Sequence, residues 1–194
     1  MIRSVLITLA ALALAGPAVA TEIRSTVDAA ALPQAKRTSL GLYLTPKDAA
    51  TALKADPSIV FLDVRDPIEI TFVGHPTPIT AVVPLETATL EFDATAGAYR
   101  LVPNLHFVAD VERVLAHRGP GKDATIFVMC RSGGRSAAAV NALAEAGYRH
   151  VWNLVEGFEG DKSEAGGRTL NGWRNAGLPW TYKLTREQAW TPTP

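Results

Sequence analysis

Two apolar runs without alternation set the pattern of this chain. Ser58 to Val64 lies between Asp56-Pro57 and Arg65-Asp66-Pro67, and Ile126 to Met129 lies between Asp123 and a Gly-rich turn. Such runs predict strands buried on both faces, as in a parallel sheet covered by helices. His150 to Leu154 and Ala81-Val82-Val83, stopped by Pro84, predict two more strands. Helical stretches alternate with them. Thr45-Pro46 opens a helix running to Lys54, with a capping threonine and proline at the first helical position. After a capping Asn104, Leu105, Val108, Val111, Val114 and Leu115 recur at helical spacing as far as Gly119-Pro120. Ser136 to Ala146 is rich in helix formers and stops at Gly147, and Trp173 to Gly177 predicts a short closing helix. The alternation implies an α/β fold, a parallel sheet of about five strands with helices on both faces.

The remaining segments are less regular. Residues 66–80 hold three prolines and predict a loop around a short helical turn. Glu86 to Phe92 and Tyr99 to Val102 flank Asp93 to Gly97, which predicts a surface hairpin within 85–103. Residues 160–172 are polar and predict a mobile loop. The domain is expected over 42–182, after a loose lead-in at 21–41 and before an extended tail at 183–194. Trp152, Trp173, Trp180 and Trp190 are expected to pack rather than to cage a ligand.

The candidate chemistry sits where the Ile126 run ends. Cys130, the single cysteine, is followed by Arg131-Ser132-Gly133-Gly134-Arg135-Ser136. That places a thiol at a strand-to-helix junction, where open α/β sheets hold their ligands. Unpaired N–H groups there form an anion-binding nest backed by the helix dipole, and Gly133 and Gly134 let the backbone curl. Arg131 and Arg135 add positive charge, and all three features favour the nucleophilic thiolate. The alternative is a buried, inert core cysteine. Asp63 and Arg65 at the end of the Ser58 run read either as partners of the thiol or as a brace between loops. His75 reads either as a general base or as a ring hydrogen-bonded to backbone.

The loop from Cys130 to Ser136 resembles the active-site loop of rhodanese-family sulfurtransferases, and other segments resemble the family in order. These are Phe61-Leu-Asp-Val-Arg65; Glu69, Gly74-His75 and Ala81 to Pro84; then Gly147-Tyr148, Val151 to Leu154, Gly157, Trp173 and Gly177-Leu-Pro179. Thr80 stands where the family usually has glycine, and the 85–103 and 160–172 segments depart from its usual single-domain pattern. The resemblance implies a rhodanese-like fold and a cysteine that carries sulfane sulfur as a persulfide. The donor would be thiosulfate or a persulfide, a small anion oriented by Arg131 and Arg135 and met by the N–H groups of Ser132 to Ser136. The acceptor would be cyanide or a thiol. The hairpin and the 160–172 loop would then either line the mouth of the site or decorate the surface.

Composition narrows the alternatives. The chain has 194 residues, 47% of them hydrophobic, enough for one globular core, and its formal charge is zero with no polybasic run, so nucleic acid is not an expected partner. Arg3, the apolar run Val5 to Ala15 and Ala18-Val19-Ala20 predict a secretory signal peptide, too short in its apolar part for a stable membrane span. Cleavage after Ala20 would leave 18 basic against 19 acidic side chains in a periplasmic or secreted protein. A lone thiol in an oxidising compartment must be protected and used, or bonded to another molecule. No metal or nucleotide motif occurs, so no cofactor is expected. Two further classes remain. One is a cysteine phosphatase or arsenate reductase, whose loops are one residue longer than the six from Cys130 to Arg135. The other is a non-catalytic sulfur carrier docking on a periplasmic protein partner.

Overall fold

The computed structural model describes residues 23–116, 118 and 121–193. The expected signal peptide and the Gly119-Pro120 helix stop lie outside them. In chain order the elements are β1 (Tyr43–Leu44), α1 (Pro46–Ala55), β2 (Val60–Asp63), α2 (Pro67–Val73), β3 (His75–Pro76), β4 (Ala81–Val82), β5 (Glu86–Asp93), β6 (Ala98–Pro103), α3 (Phe107–Leu115), β7 (Ile126–Met129), α4 (Gly134–Glu145), β8 (Val151–Leu154) and β9 (Trp180–Thr181). The main sheet has five strands in the order β1-β8-β7-β2-β4, all parallel. β5 and β6 form the expected hairpin, and β3 pairs with β9 as a small antiparallel ladder that the hydrophobic pattern did not indicate.

The pleat sorts the core into two layers. Val60, Leu62, Ile126, Val128 and Val151 pack with Val111 of α3 and Val140 and Leu143 of α4. Phe61, Phe127, Met129, Trp152 and Leu154 pack on the opposite face with Ala49 of α1, Ile70 of α2 and Trp173. Both faces are therefore covered, which is why β7 is apolar throughout and β2 and β8 each carry a single polar residue, Asp63 and Asn153. Alternation along β7 sends Cys130, next after Met129, toward the α4 face.

Several expectations need correction. α3 begins at Phe107 rather than after Asn104, and Leu105 is 89% exposed. Asn104 forms a turn instead: its Oδ1 accepts from His106 N–H, while its Nδ2 donates to the Pro84 carbonyl and to Asp110. Trp173 to Gly177 is a series of turns, not a helix. From residue 23 on, the lead-in is packed rather than loose, with short 3-10 turns at Ala29–Ala31 and Gln34–Lys36 and a buried Leu32. The tail lies on the β4 edge, where Val82 N–H donates to the Gln188 carbonyl, and Trp190 Nε1 and the Thr193 hydroxyl reach Asp110. The 160–172 loop is closed by its own bonds, among them Arg168 Nη1 to the Gly160 carbonyl and Asp161 N–H to Asn171 Oδ1.

Among the described residues no helix is long and apolar enough to cross a membrane.

Candidate active site

β7 is the central strand, so its carboxyl end opens between β2 and β8, and the chain turns there into α4 through Cys130 to Gly133. Gly133 caps α4 with φ +98°, a conformation that glycine adopts without penalty, and a Cβ built on it would lie 2.2 Å from the Val155 carbonyl oxygen. That conformation aims Gly133 N–H at Cys130 Sγ, 3.2 Å away. The turn after β8 closes under the loop. Phe158 N–H donates to the Cys130 carbonyl and Glu159 N–H to the Arg131 carbonyl, while a Cβ on Gly157 would meet the Cys130 carbonyl oxygen at 2.5 Å.

Cys130 is only 2% exposed. Burial alone would fit the inert core cysteine, but the amide of a helix N-cap directed at sulfur is what a stored anion needs. Ser136, in the first turn of α4, places its hydroxyl 3.4 Å from Sγ, and that hydroxyl donates to Asn153 Oδ1 at 2.6 Å. Asn153 of β8 is fully buried and its Nδ2 donates to the carbonyls of Gly133 and Lys36.

Of the expected amide cradle, Gly133 N–H is the group that contacts sulfur; Ser132 and Gly134 are half-buried neighbours. Arg131 is exposed. Arg135 is not free to meet a donor: its Nη1 and Nη2 donate to Glu69 at 2.6 and 2.7 Å. Burial works against the guanidinium, but the hydrogen bonds and charge of Glu69, with a smaller pull from the Cys130 sulfur, hold the Arg135 pKa above its ordinary value. Glu69 is the mirror case, with burial raising its pKa and Arg135 overcoming this to leave it lowered.

Asp63 and Arg65 are buried at the end of β2 and close on each other, Arg65 Nη2 to Asp63 Oδ2 at 2.6 Å and Nη2 to the Gly74 carbonyl at 2.8 Å. Arg65 also lies 4.4 Å above the Phe158 ring. This is the brace of the two readings. The ring nitrogens of His75 face the carbonyl oxygens of Pro76 and Lys183, which fits the backbone-bonded reading. A cavity of about 600 Å³ lies between β4, α3 and the tail, and no residue of the Cys130 loop lines it. Among the described residues no group of three or more His, Cys, Asp or Glu could hold a metal ion.

Sequence reasoning missed Asn153 and the partnership of Glu69. A lone amide in the apolar run Val151 to Leu154 was the available signal for the first.

The model of the rhodanese-like domain matches residues 45–164, more than half of the chain. The chain belongs to the rhodanese-like family. Rv0390 from M. tuberculosis, known from a crystal structure, is 32% identical to it, with 72% of this chain and 96% of that one aligned at a TM-score of 0.55. A homodimeric polysulfide-sulfur transferase from Wolinella succinogenes is 26% identical over 76% of this chain and 81% of its own, at a TM-score of 0.44. The uncharacterized protein RP600 of Rickettsia prowazekii is 40% identical over 60 residues, 31% of this chain and 44% of its own length. The match thus spans less than half the length of that curated relative. The fold of this rhodanese-like domain, a five-stranded parallel sheet between helices, agrees with the expectation from the hydrophobic pattern.

Proposed function

We propose that this chain is a sulfurtransferase that carries sulfane sulfur on Cys130. The observation that supports it is the Gly133 N–H at 3.2 Å from Sγ, within a six-residue loop at the N-terminus of a twelve-residue helix. The Cys130 thiolate attacks the outer sulfur of thiosulfate, the S–S bond breaks, and sulfite leaves with the bonding pair. Cys130 is then a persulfide. Attack on its outer sulfur by cyanide or a thiolate forms thiocyanate or a new persulfide and restores the Cys130 thiolate. The Gly133 amide and the α4 dipole stabilise negative charge on sulfur at each stage. Arg131 attracts an anionic donor from solvent, and Arg135 contributes charge to the extent that Glu69 releases it. The pattern of residues 1–20 supports export, and the periplasm or exterior as the place of action.

Incubation with thiosulfate should add one sulfur mass to the intact protein, and Cys130→Ser should abolish the gain. No adduct from thiosulfate, polysulfide or any persulfide removes the proposal. A sulfur carrier that docks on another protein is a second reading, favoured by the exposed apolar hairpin, where Leu90 is 95% and Phe92 67% accessible. Slow turnover with thiosulfate and cyanide, beside rapid transfer to a bound partner, would select it. A phosphatase or arsenate reductase is disfavoured by loop length, and a phosphate-ester assay checks it.

A further inference from the structure

Ser136 has one hydroxyl proton and two neighbours that could take it. Cys130 Sγ is 3.4 Å away and Asn153 Oδ1 is 2.6 Å away. The orientation of the Asn153 amide is not interchangeable, because its Nδ2 faces two carbonyl oxygens, of Gly133 at 3.1 Å and Lys36 at 3.0 Å, which only accept. Oδ1 therefore faces Ser136, and among the described residues no other donor reaches it. A buried amide oxygen left without a donor is costly, and the shorter contact wins the proton. The hydroxyl then turns a lone pair toward sulfur.

We propose that Asn153 is a positioning residue for Cys130, holding the Ser136 proton away from the sulfur and bracing Gly133, whose N–H is the donor the sulfur keeps. The resting thiol can donate its S–H to Ser136 Oγ. The thiolate meets a lone pair there instead. Once loaded, the inner sulfur carries no proton and its charge has moved to the outer atom, so the Ser136 to Asn153 bond persists without conflict. The arrangement favours the loaded sulfur over the bare thiolate and makes Cys130 a better sulfur acceptor. Its purpose rests on the sulfur-transfer reading, whereas its geometry does not. Arg135, held by Glu69 of α2, interacts with the sulfur, and the other charged groups on the loop and on the elements packed against β7 and α4 include Arg131, exposed on the loop; Asp63 with Arg65 at the end of β2; and Lys36 of the lead-in, closed on Asp161 at 2.7 Å.

Alkylation of Cys130 by iodoacetamide across pH tests this directly, since the chain has one cysteine and no sulfur donor is needed. Its failure is therefore separable from failure of the sulfurtransferase reading. With Asn153 present, Ser136→Ala removes only an acceptor, so alkylation at neutral pH should not slow. In Asn153→Ala the hydroxyl is released and becomes a donor to the thiolate. Adding Ser136→Ala to that background should then slow alkylation about tenfold and move its pH profile upward. Equal effects of Ser136→Ala in the two backgrounds overturn the proposal, because a merely structural role predicts them. If Asn153→Ala does not fold, Ser136→Ala alone decides, and a tenfold slowing in it is fatal.

Discussion

Arg135 and Glu69 meet through two parallel hydrogen bonds, 2.6 and 2.7 Å long, that join the first turn of the helix after Cys130 to the first turn of α2. Glu69 also accepts from Asp66 N–H at 3.1 Å, so one carboxylate caps α2 and holds the loop arginine. An anionic donor that uses Arg135 must compete with this carboxylate.

Glu69→Gln keeps the cap, since its amide oxygen still accepts, but removes the negative charge. The expected outcome is a KM for thiosulfate lower by about three- to tenfold with kcat little changed, read in steady-state assays. The sign with pH follows from the lowered Glu69 pKa. The ion pair is complete above the usual glutamate range and is lost only as pH falls through the lowered value, so the difference between the two proteins should persist throughout neutral and mildly acidic pH. A raised KM would mean that Glu69 orients Arg135 for the donor instead of withholding it.

Gly133→Ala should remove both activity and stability. It would place a side chain at φ +98° with its Cβ 2.2 Å from the Val155 carbonyl oxygen, a backbone atom that cannot move aside cheaply. A cost of about 3 kcal/mol is expected, or roughly 5–10 °C in Tm. Displacement of the Gly133 amide from sulfur should lower persulfide formation at least about a hundredfold. Calorimetry and intact-mass analysis read the two effects separately.

How much of this was legible in the residues depends on whether a signal was local. β2 and β7 showed themselves because burial on both faces leaves nothing polar between Val60 and Leu62 or between Ile126 and Met129. The loop was legible because its glycines and arginines lie within seven residues of each other. Asn104 misled because an asparagine before a helix has two uses for its oxygen, a cap or a turn, and here Asp110, held by its Nδ2, sits one turn into the helix. The tail carried no period, since Gln188 is placed by bonds to Val82 and Ile79 and Trp190 by its bond to Asp110, all distant along the chain. Asn153 bonds to Gly133, Ser136 and Lys36, each at least 17 residues away, and no pattern on one strand reports that.

The hairpin tests where the domain's stability resides. Its link to the α2 cap is Ala88 N–H to Asp66 Oδ2 at 2.6 Å, beside the Asp66 to Ile68 bond, and most of its length is exposed. Replacing Thr89 to Arg100 with Asn-Gly joins Ala88 to Leu101, which already face each other across the ladder. Tm should change by no more than about 3 °C and thiosulfate turnover by no more than about twofold. Loss of turnover in a chain that still melts cooperatively would make the hairpin part of the site, and loss of partner-dependent transfer alone would make it a docking element.

Asp110 ties the tail to α3 and should govern acid stability. Its carboxylate accepts from Asn104 Nδ2, Trp190 Nε1, Thr193 Oγ1 and Arg113. Burial pushes its pKa up, but the hydrogen bonds from Thr193, Asn104, Trp190 and Arg113 outweigh this and lower it to about 2. A folded-state value below the unfolded value of 3.8 means that the ionised form adds stability above pH 3.8 and that this is lost as pH falls through about 2. The contribution is on the order of 2 kcal/mol. Wild type should therefore exceed Asp110→Asn in denaturant stability by that amount at pH 5, by less at pH 3, and hardly at all near pH 2. A difference that stays constant with pH would assign the loss to packing of Trp190 and the tail rather than to the charge.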